Sequence, residues 1–135
     1  NYNDVLVIFK GLNYNKTKAK HVIESAQMLF SDFHGRIPRS IEELIKLPGV
    51  GRKTANVFLS EHGQHALGVD THVSYISRKL GWTKHINPHK IEFDLKNLFP
   101  KNYWNKVNAT LVRFGKTYTS RRKKDKLLFE ISKIR

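Results

Sequence analysis

Apolar residues recur at helical spacing along most of the chain. Between Lys16 and Phe33 they fall at Ala19, Val22, Ile23, Ala26, Leu29, Phe30 and Phe33, which is one face of a helix. His34-Gly35 punctuates that run. Ser40 followed by Glu43 has capping-box spacing for a short helix with Ile41, Leu44 and Ile45 on its apolar side. Pro48, Gly49 and Gly51 end it, and a second helix is predicted from about Arg52 through Ala55, Val57, Phe58 and Leu59. Gly63 to Val69 reads as a connector with some buried apolar residues. Asp70 or Thr71 can cap a helix carrying Val73, Ile76 and Leu80, stopped by Gly81. Asn87-Pro88 opens another, with Ile91, Leu95, Leu98 and Phe99 inward and Pro100 as its break. Tyr103 to Phe114 repeats the pattern through Trp104, Val107, Leu111 and Phe114, with Gly115 as the stop. After Arg121-Arg122-Lys123-Lys124, the residues Leu127, Leu128, Phe129, Ile131 and Ile134 mark a final docking helix. Period-two alternation is almost absent. The predicted class is all-α, a helical bundle with short connections.

The 135 residues suit one domain, without repeats, low-complexity tracts or a flexible linker. No window approaches the ~18 consecutive apolar residues of a membrane span. Asn1-Tyr2-Asn3-Asp4 shows no signal-peptide pattern, and the absence of an initial Met suggests a processed form or a piece of a longer protein. The chain has no cysteine, which excludes disulfides, thiolate nucleophiles and cysteine-held zinc or iron–sulfur groups. Lys and Arg number 25 against 11 Asp and Glu, a net charge of +14. That excess points to a polyanion, by default nucleic acid; a basic ribosomal or chromatin-like protein without chemistry is the alternative.

The most informative segment is Leu47-Pro48-Gly49-Val50-Gly51-Arg52-Lys53-Thr54-Ala55. Two short helices flank a turn with two glycines, which permits positive φ and close backbone approach. The turn opens into a helix N-terminus, where unpaired N–H groups and the dipole favour phosphate. This is helix–hairpin–helix logic, and the plain alternative is an αα-turn with a glycine C-cap.

The string 47–57, together with Val-Asp-Thr-His-Val at 69–73, resembles the signature of endonuclease III-type DNA glycosylases of the helix–hairpin–helix superfamily with a Gly/Pro-rich loop and a following aspartate. Gly11-Leu12 with Lys18-Ala19, Gly35-Arg36-Ile37-Pro38 and Leu111-Val112-Arg113-Phe114-Gly115-Lys116 extend the similarity over roughly residues 8–120. The resemblance implies a glycosylase core at 1–120 followed by a basic C-terminal helix at 121–135. It implies a bifunctional DNA glycosylase and abasic-site lyase acting on oxidised pyrimidines in duplex DNA, and so a place inside the cell with genomic DNA.

By position in the motif, Lys53 is the nucleophile and Asp70 its assistant. The chemistry is consistent: a nucleophilic Lys must be neutral, and a partly desolvated helix N-terminus beside positive amides lowers its pKa. A surface lysine and a simple N-cap aspartate are the ordinary readings. Gly49, Val50 and Gly51 are expected to offer amides to phosphate, with Arg52 and Thr54 contributing. His72 is a candidate phosphate contact or a capping histidine. Leu12 is a candidate for the side chain that fills the gap left by a flipped base, with Asn13 and Tyr14 as substitutes and a core leucine as the alternative. Trp82, Trp104 and Tyr103 read as core.

Two departures from the family stand out. Its usual four-cysteine [4Fe-4S] region reads Thr117-Tyr118-Thr119-Ser120-Arg121-Arg122-Lys123-Lys124 here, so no cluster is expected, and the basic run either contacts backbone phosphate or is a solvated helix end. No metal is expected either, though a monovalent cation could bridge hairpin and phosphate. The family also has further N-terminal helices, whose lack would expose apolar faces on 16–33 and 93–114 and favour self-association. The alternatives are a mismatch- or alkylation-specific glycosylase on the same scaffold, and a non-catalytic helix–hairpin–helix DNA-binding module.

Overall fold

The computed structural model describes residues 1–134, so residue 135 of the predicted tail lies outside the described residues. Eight α-helices and a 3-10 turn follow one another, with no strand among the described residues. They are α1 (Tyr2–Ile8), α2 (Asn15–Ser31), α3 (Ile41–Leu44), α4 (Arg52–Glu61), α5 (Thr71–Lys79), α6 (Pro88–Leu98), the 3-10 turn (Lys101–Tyr103), α7 (Trp104–Thr117) and α8 (Arg121–Ser132). The chain divides into two compact units, Asn1–Ala55 and Asn56–Arg135.

In the first unit α1 packs on α2. The apolar pattern alone did not reveal α1. Its start is set by Asn1, whose side chain accepts from Asn3 and Asp4 N–H while Asp4 reaches back to the N-terminus. Of the apolar stripe on α2, only Ala19 is buried, and Phe30 is 81% exposed. Ser40 caps α3 by accepting from the Glu43 amide at 3.3 Å. The reciprocal half of the box differs from expectation: the Glu43 carboxylate accepts a hydrogen bond from the Ser40 hydroxyl at 2.8 Å instead of from a backbone N–H. Leu44 and Leu47 are buried.

The second unit holds the main core: Leu67, Val69, Val73, Ile76, Ile91, Leu95, Leu111 and Leu128. These residues come from the connector and from α5, α6, α7 and α8. Trp82, Phe99, Trp104, Val107 and Phe114 pack against them, as the helical spacing implied. Asn87 and Pro88 open α6 as expected, the Asn87 side chain accepting from the His89 and Lys90 amides. Leu98 does not turn inward and is 50% exposed, because α6 ends there and the chain turns at Phe99-Pro100. Tyr103 is likewise 48% exposed rather than core.

Gly115 is not the stop of α7. The helix continues to Thr117, and Gly115 is buried inside it. A Cβ at Gly115 would collide with the ring of His72, so the glycine serves close approach of α5 and α7 rather than termination.

Candidate active site and nucleic-acid interface

The hairpin turn belongs to the first unit. After α3 the Val50 amide donates to the Leu47 carbonyl at 3.0 Å, and Gly49 takes φ +77°, which an L side chain reaches only with strain. Gly49 also lies under the imidazole of His21 from α2, where an added Cβ would stand 2.5 Å from Nδ1. One helical turn along α2, the Ser25 hydroxyl donates to the Pro48 carbonyl at 3.0 Å. His21 and Ser25 therefore hold the turn from one face of α2. Neither stood out in the sequence, although two polar residues four apart within an apolar stripe were the available signal.

From the turn the chain enters α4, whose first turn contains no acidic residue. The amides at this end have no intrahelical acceptors, so Gly51, Arg52, Lys53 and Thr54 form a positive helix start. Lys53, at the second position of α4, is exposed, and not partly desolvated as the sequence reading expected. The turn ahead of it is equally open: a Cβ added at Gly51 would meet nothing within 4 Å. Leu12 sits in the loop between α1 and α2 and is 50% exposed, which removes the core-leucine alternative. Tyr14 is 83% exposed.

Asp70 belongs to the second unit. It is the N-cap of α5, with Oδ1 accepting from the Val73 amide at 2.8 Å. Oδ2 makes no hydrogen bond among the described residues. Cap and free oxygen are compatible because capping uses one lone-pair set of the carboxylate. His72, in the first turn of α5, is half-buried with its ring against Gly115.

The connector ahead of Asp70 is fixed from α7. The Asn105 side chain accepts from the Ala66 amide at 3.0 Å and donates to the Gln64 carbonyl at 3.0 Å, while Asn108 donates to the Gly68 carbonyl. These two asparagines, three residues apart on the inward face of α7, set where Asp70 begins. Along 103–114 only the apolar positions stood out in the sequence, and neither asparagine lies where a helix cap is expected.

At the other end of α7, Lys124 donates to the Gly115 carbonyl at 3.0 Å and Ser120 caps α8. Thiol donors are wholly absent from this stretch, so the residues present do not fit the four-cysteine cluster of the resembling family. Among the described residues, no three His, Asp or Glu side chains converge as a metal site would need. No helix of the described residues is long and apolar enough to cross a membrane.

The helix-hairpin-helix motif family matches residues 32–61, which span α3, the turn and α4. Two solved structures superpose with a TM-score of 0.84 at 32% identity: a trapped endonuclease III–DNA covalent intermediate, matching 89% of this chain, and a non-covalent endonuclease III–DNA complex, matching 90%. Over the part that it spans, the chain is similar to endonuclease III. Among curated proteins it is 43% identical over 114 residues to endonuclease III of Thermotoga maritima, which covers 84% of this chain and 54% of that protein. Against endonuclease III of Bacillus subtilis it is 39% identical over 111 residues, 79% of this chain and 50% of that protein. The chain thus spans about half the length of the endonuclease III relatives it matches, and 57% of each solved chain. Within that half it carries the hairpin, Lys53 and Asp70.

Proposed function

We propose that this chain binds duplex DNA and acts in base excision as a bifunctional glycosylase and abasic-site lyase, with oxidised pyrimidines as its lesions. The observation that carries the reading is an endonuclease III-like fold in which a lysine follows the hairpin glycines at a helix start and an aspartate with one free carboxylate oxygen caps another helix. DNA is the partner by the +14 charge, the hairpin amides and the DNA-bound state of the structural neighbours. Such a protein works inside the cell on genomic DNA.

In this reading, phosphate sits on the amides around Gly49, Val50 and Gly51, with Arg52 and Thr54 beside them and His72 and Leu12 at further points of the DNA. Neutral Lys53 Nζ attacks C1′ of the damaged nucleotide. The glycosidic bond breaks with its electron pair going to the base, which takes up a proton. Asp70 receives the proton shed by the amine. The C1′–O4′ bond then opens, O4′ is protonated, and a protonated imine joins Lys53 to the sugar. Loss of a C2′ proton sends electrons through C2′–C3′ and expels the 3′ phosphate, breaking the strand. Water hydrolyses the imine and frees Lys53. These steps use side chains and water, and a monovalent cation between hairpin and phosphate is compatible with them. In this reading residues 1–120 are the glycosylase core and 121–135 a basic C-terminal segment, with α8 at Arg121–Ser132, in place of the family's cluster region.

The test is strand cleavage of a duplex bearing one abasic site. The wild-type chain is expected to nick 3′ to the site, and Lys53→Gln to bind the same duplex without nicking it. Tight binding with no nicking by the wild type would leave a DNA-binding module and overturn the lyase reading.

A further inference from the structure

A cavity of about 510 Å³ lies at the C-terminal end of α5, lined by Tyr75, Arg78, Lys79, Lys84 and Arg121 around Gly81 and Thr83. Three separate segments build it: the last turns of α5, the loop after it and the first residue of α8. Four of its side chains are cations. The nearby acids are already engaged. Asp125 accepts the Tyr75 hydroxyl and pairs with Lys79 Nζ at 3.0 Å, and Asp94 accepts the Thr83 hydroxyl with His85 Nε2 at 3.9 Å. Lys79 is thereby neutralised by Asp125. Arg78 and Lys84 meet no carboxylate among the described residues. Arg121 lies over the Tyr75 ring, Cζ 5.9 Å from its centre. Two cations without a carboxylate partner, Arg78 and Lys84, thus converge with Arg121, which also faces Asp125, on one concavity with an aromatic wall. Its volume is in the range of small-ligand sites.

The cavity is distinct from the candidate catalytic end of the same helix. α5 has nine residues at ~1.5 Å rise, so its mouth is on the order of 13 Å along the axis from Asp70. Converging Arg and Lys side chains that outnumber the neighbouring acids, Asp125 and Asp94, are complementary to phosphate, which Arg can grip with two parallel hydrogen bonds. The C-terminal end of a helix repels anions, but the full charge of Arg78 at that end outweighs its partial charge.

We propose that this cavity is a second phosphate site, held by Arg78, Lys84 and Arg121, that takes a phosphate from a nucleic-acid backbone or from a free polyphosphate. The nucleic-acid arm rests on the DNA-binding reading above; the polyphosphate arm does not.

The test uses the whole chain and the double variant Arg78→Glu/Lys84→Glu. Both residues are exposed, and an unchanged unfolding midpoint checks that the variant folds. Sodium tripolyphosphate is titrated while backbone amide signals are followed by NMR. The site predicts saturable shifts at residues 78–84 and 121 that the variant loses. In parallel, the salt dependence of binding to an undamaged 24-base-pair duplex is measured. If DNA is the source, the double variant lowers the log–log salt slope by about 2, since each phosphate contact is worth ~0.9. If free polyphosphate is the source, that slope is unchanged while the tripolyphosphate shifts still vanish in the variant. Shifts spread evenly over all basic residues, or unaltered in the variant with an unaltered slope, would overturn the proposal. Neither readout involves base excision, so a failed lyase assay leaves this test intact.

Discussion

Asp70 caps α5 and, in the proposed reaction, also accepts a proton, and two substitutions separate the two roles. As N-cap it satisfies the Val73 amide through Oδ1, and as proton acceptor it needs a carboxylate with a free oxygen. Asp70→Asn keeps an oxygen acceptor for the cap, since Asn caps about as well as Asp, but removes the base. Asp70→Ala removes both. Loss of a cap costs ~1 kcal/mol, with a range of about 0.5–2. For a chain of this size that corresponds to an unfolding midpoint lower by about 3–5 °C. Loss of general acid–base assistance costs about 10²–10⁴ in rate, or ~3–5 kcal/mol of barrier. The expected result is that Asn and Ala variants are equally impaired in single-turnover excision on a lesion-bearing duplex, while only the Ala variant unfolds several degrees early. Thermal unfolding followed by circular dichroism gives the second quantity. An Asn variant as unstable as the Ala variant would refute the capping geometry. An Asn variant with near wild-type excision would refute the chemical role.

Further outcomes follow from the packing and the charged pairs. Gly49→Ala must hold φ near +77° and displace the His21 ring, so a loss of ~1–2 kcal/mol is expected, together with weaker duplex binding in a gel-shift assay. Gly115→Ala gains ~1 kcal/mol of helix propensity but drives a Cβ into His72, an overpacking cost of about 1–3 kcal/mol. Net destabilisation of up to ~2 kcal/mol is expected in urea unfolding, and a net gain would contradict the close approach. The Tyr75 hydroxyl, then Lys79, hold the Asp125 carboxyl below the usual carboxylate range. A group with its folded pKa lowered stabilises the fold above about pH 4 and loses that contribution as pH falls through the folded value. Tyr75→Phe should therefore bring the Asp125 titration upward in NMR and shift acid unfolding to higher pH. The Tyr75 phenol is raised in turn by burial and by its bond to Asp125, so its own contribution is present below about pH 10 and is lost as pH rises further.

Most helices were legible because each carried its own punctuation. Ser40, Asp70, Asn87 and the glycines of the turn act within one helical turn of where they stand, and the structure uses them there. Lys53 and Asp70, the proposed pair, were legible as part of a motif, since both sit at helix starts defined by local signals. What escaped the sequence was non-local. Gly115 looked like a stop because glycine usually is one, yet His72, 43 positions earlier, claims the space its missing side chain leaves. Asn105 and Asn108 hold the connector across about 40 positions, which no periodicity reports. α1 carries no buried residue, so its apolar pattern had little to say, and its N-terminal box was the only cue. Apolar periodicity also overstated burial on α2, where it marks a face that the described residues leave largely open.

The central claim is that Lys53 becomes covalently joined to the sugar. Borohydride trapping on a duplex with a single abasic site tests it directly, because reduction fixes the imine as a stable amine. The account predicts a trapped protein–DNA band for the wild-type chain and its loss in Lys53→Gln with duplex binding retained. A band that persists in Lys53→Gln, or a wild-type chain that binds the duplex and yields none, would contradict it.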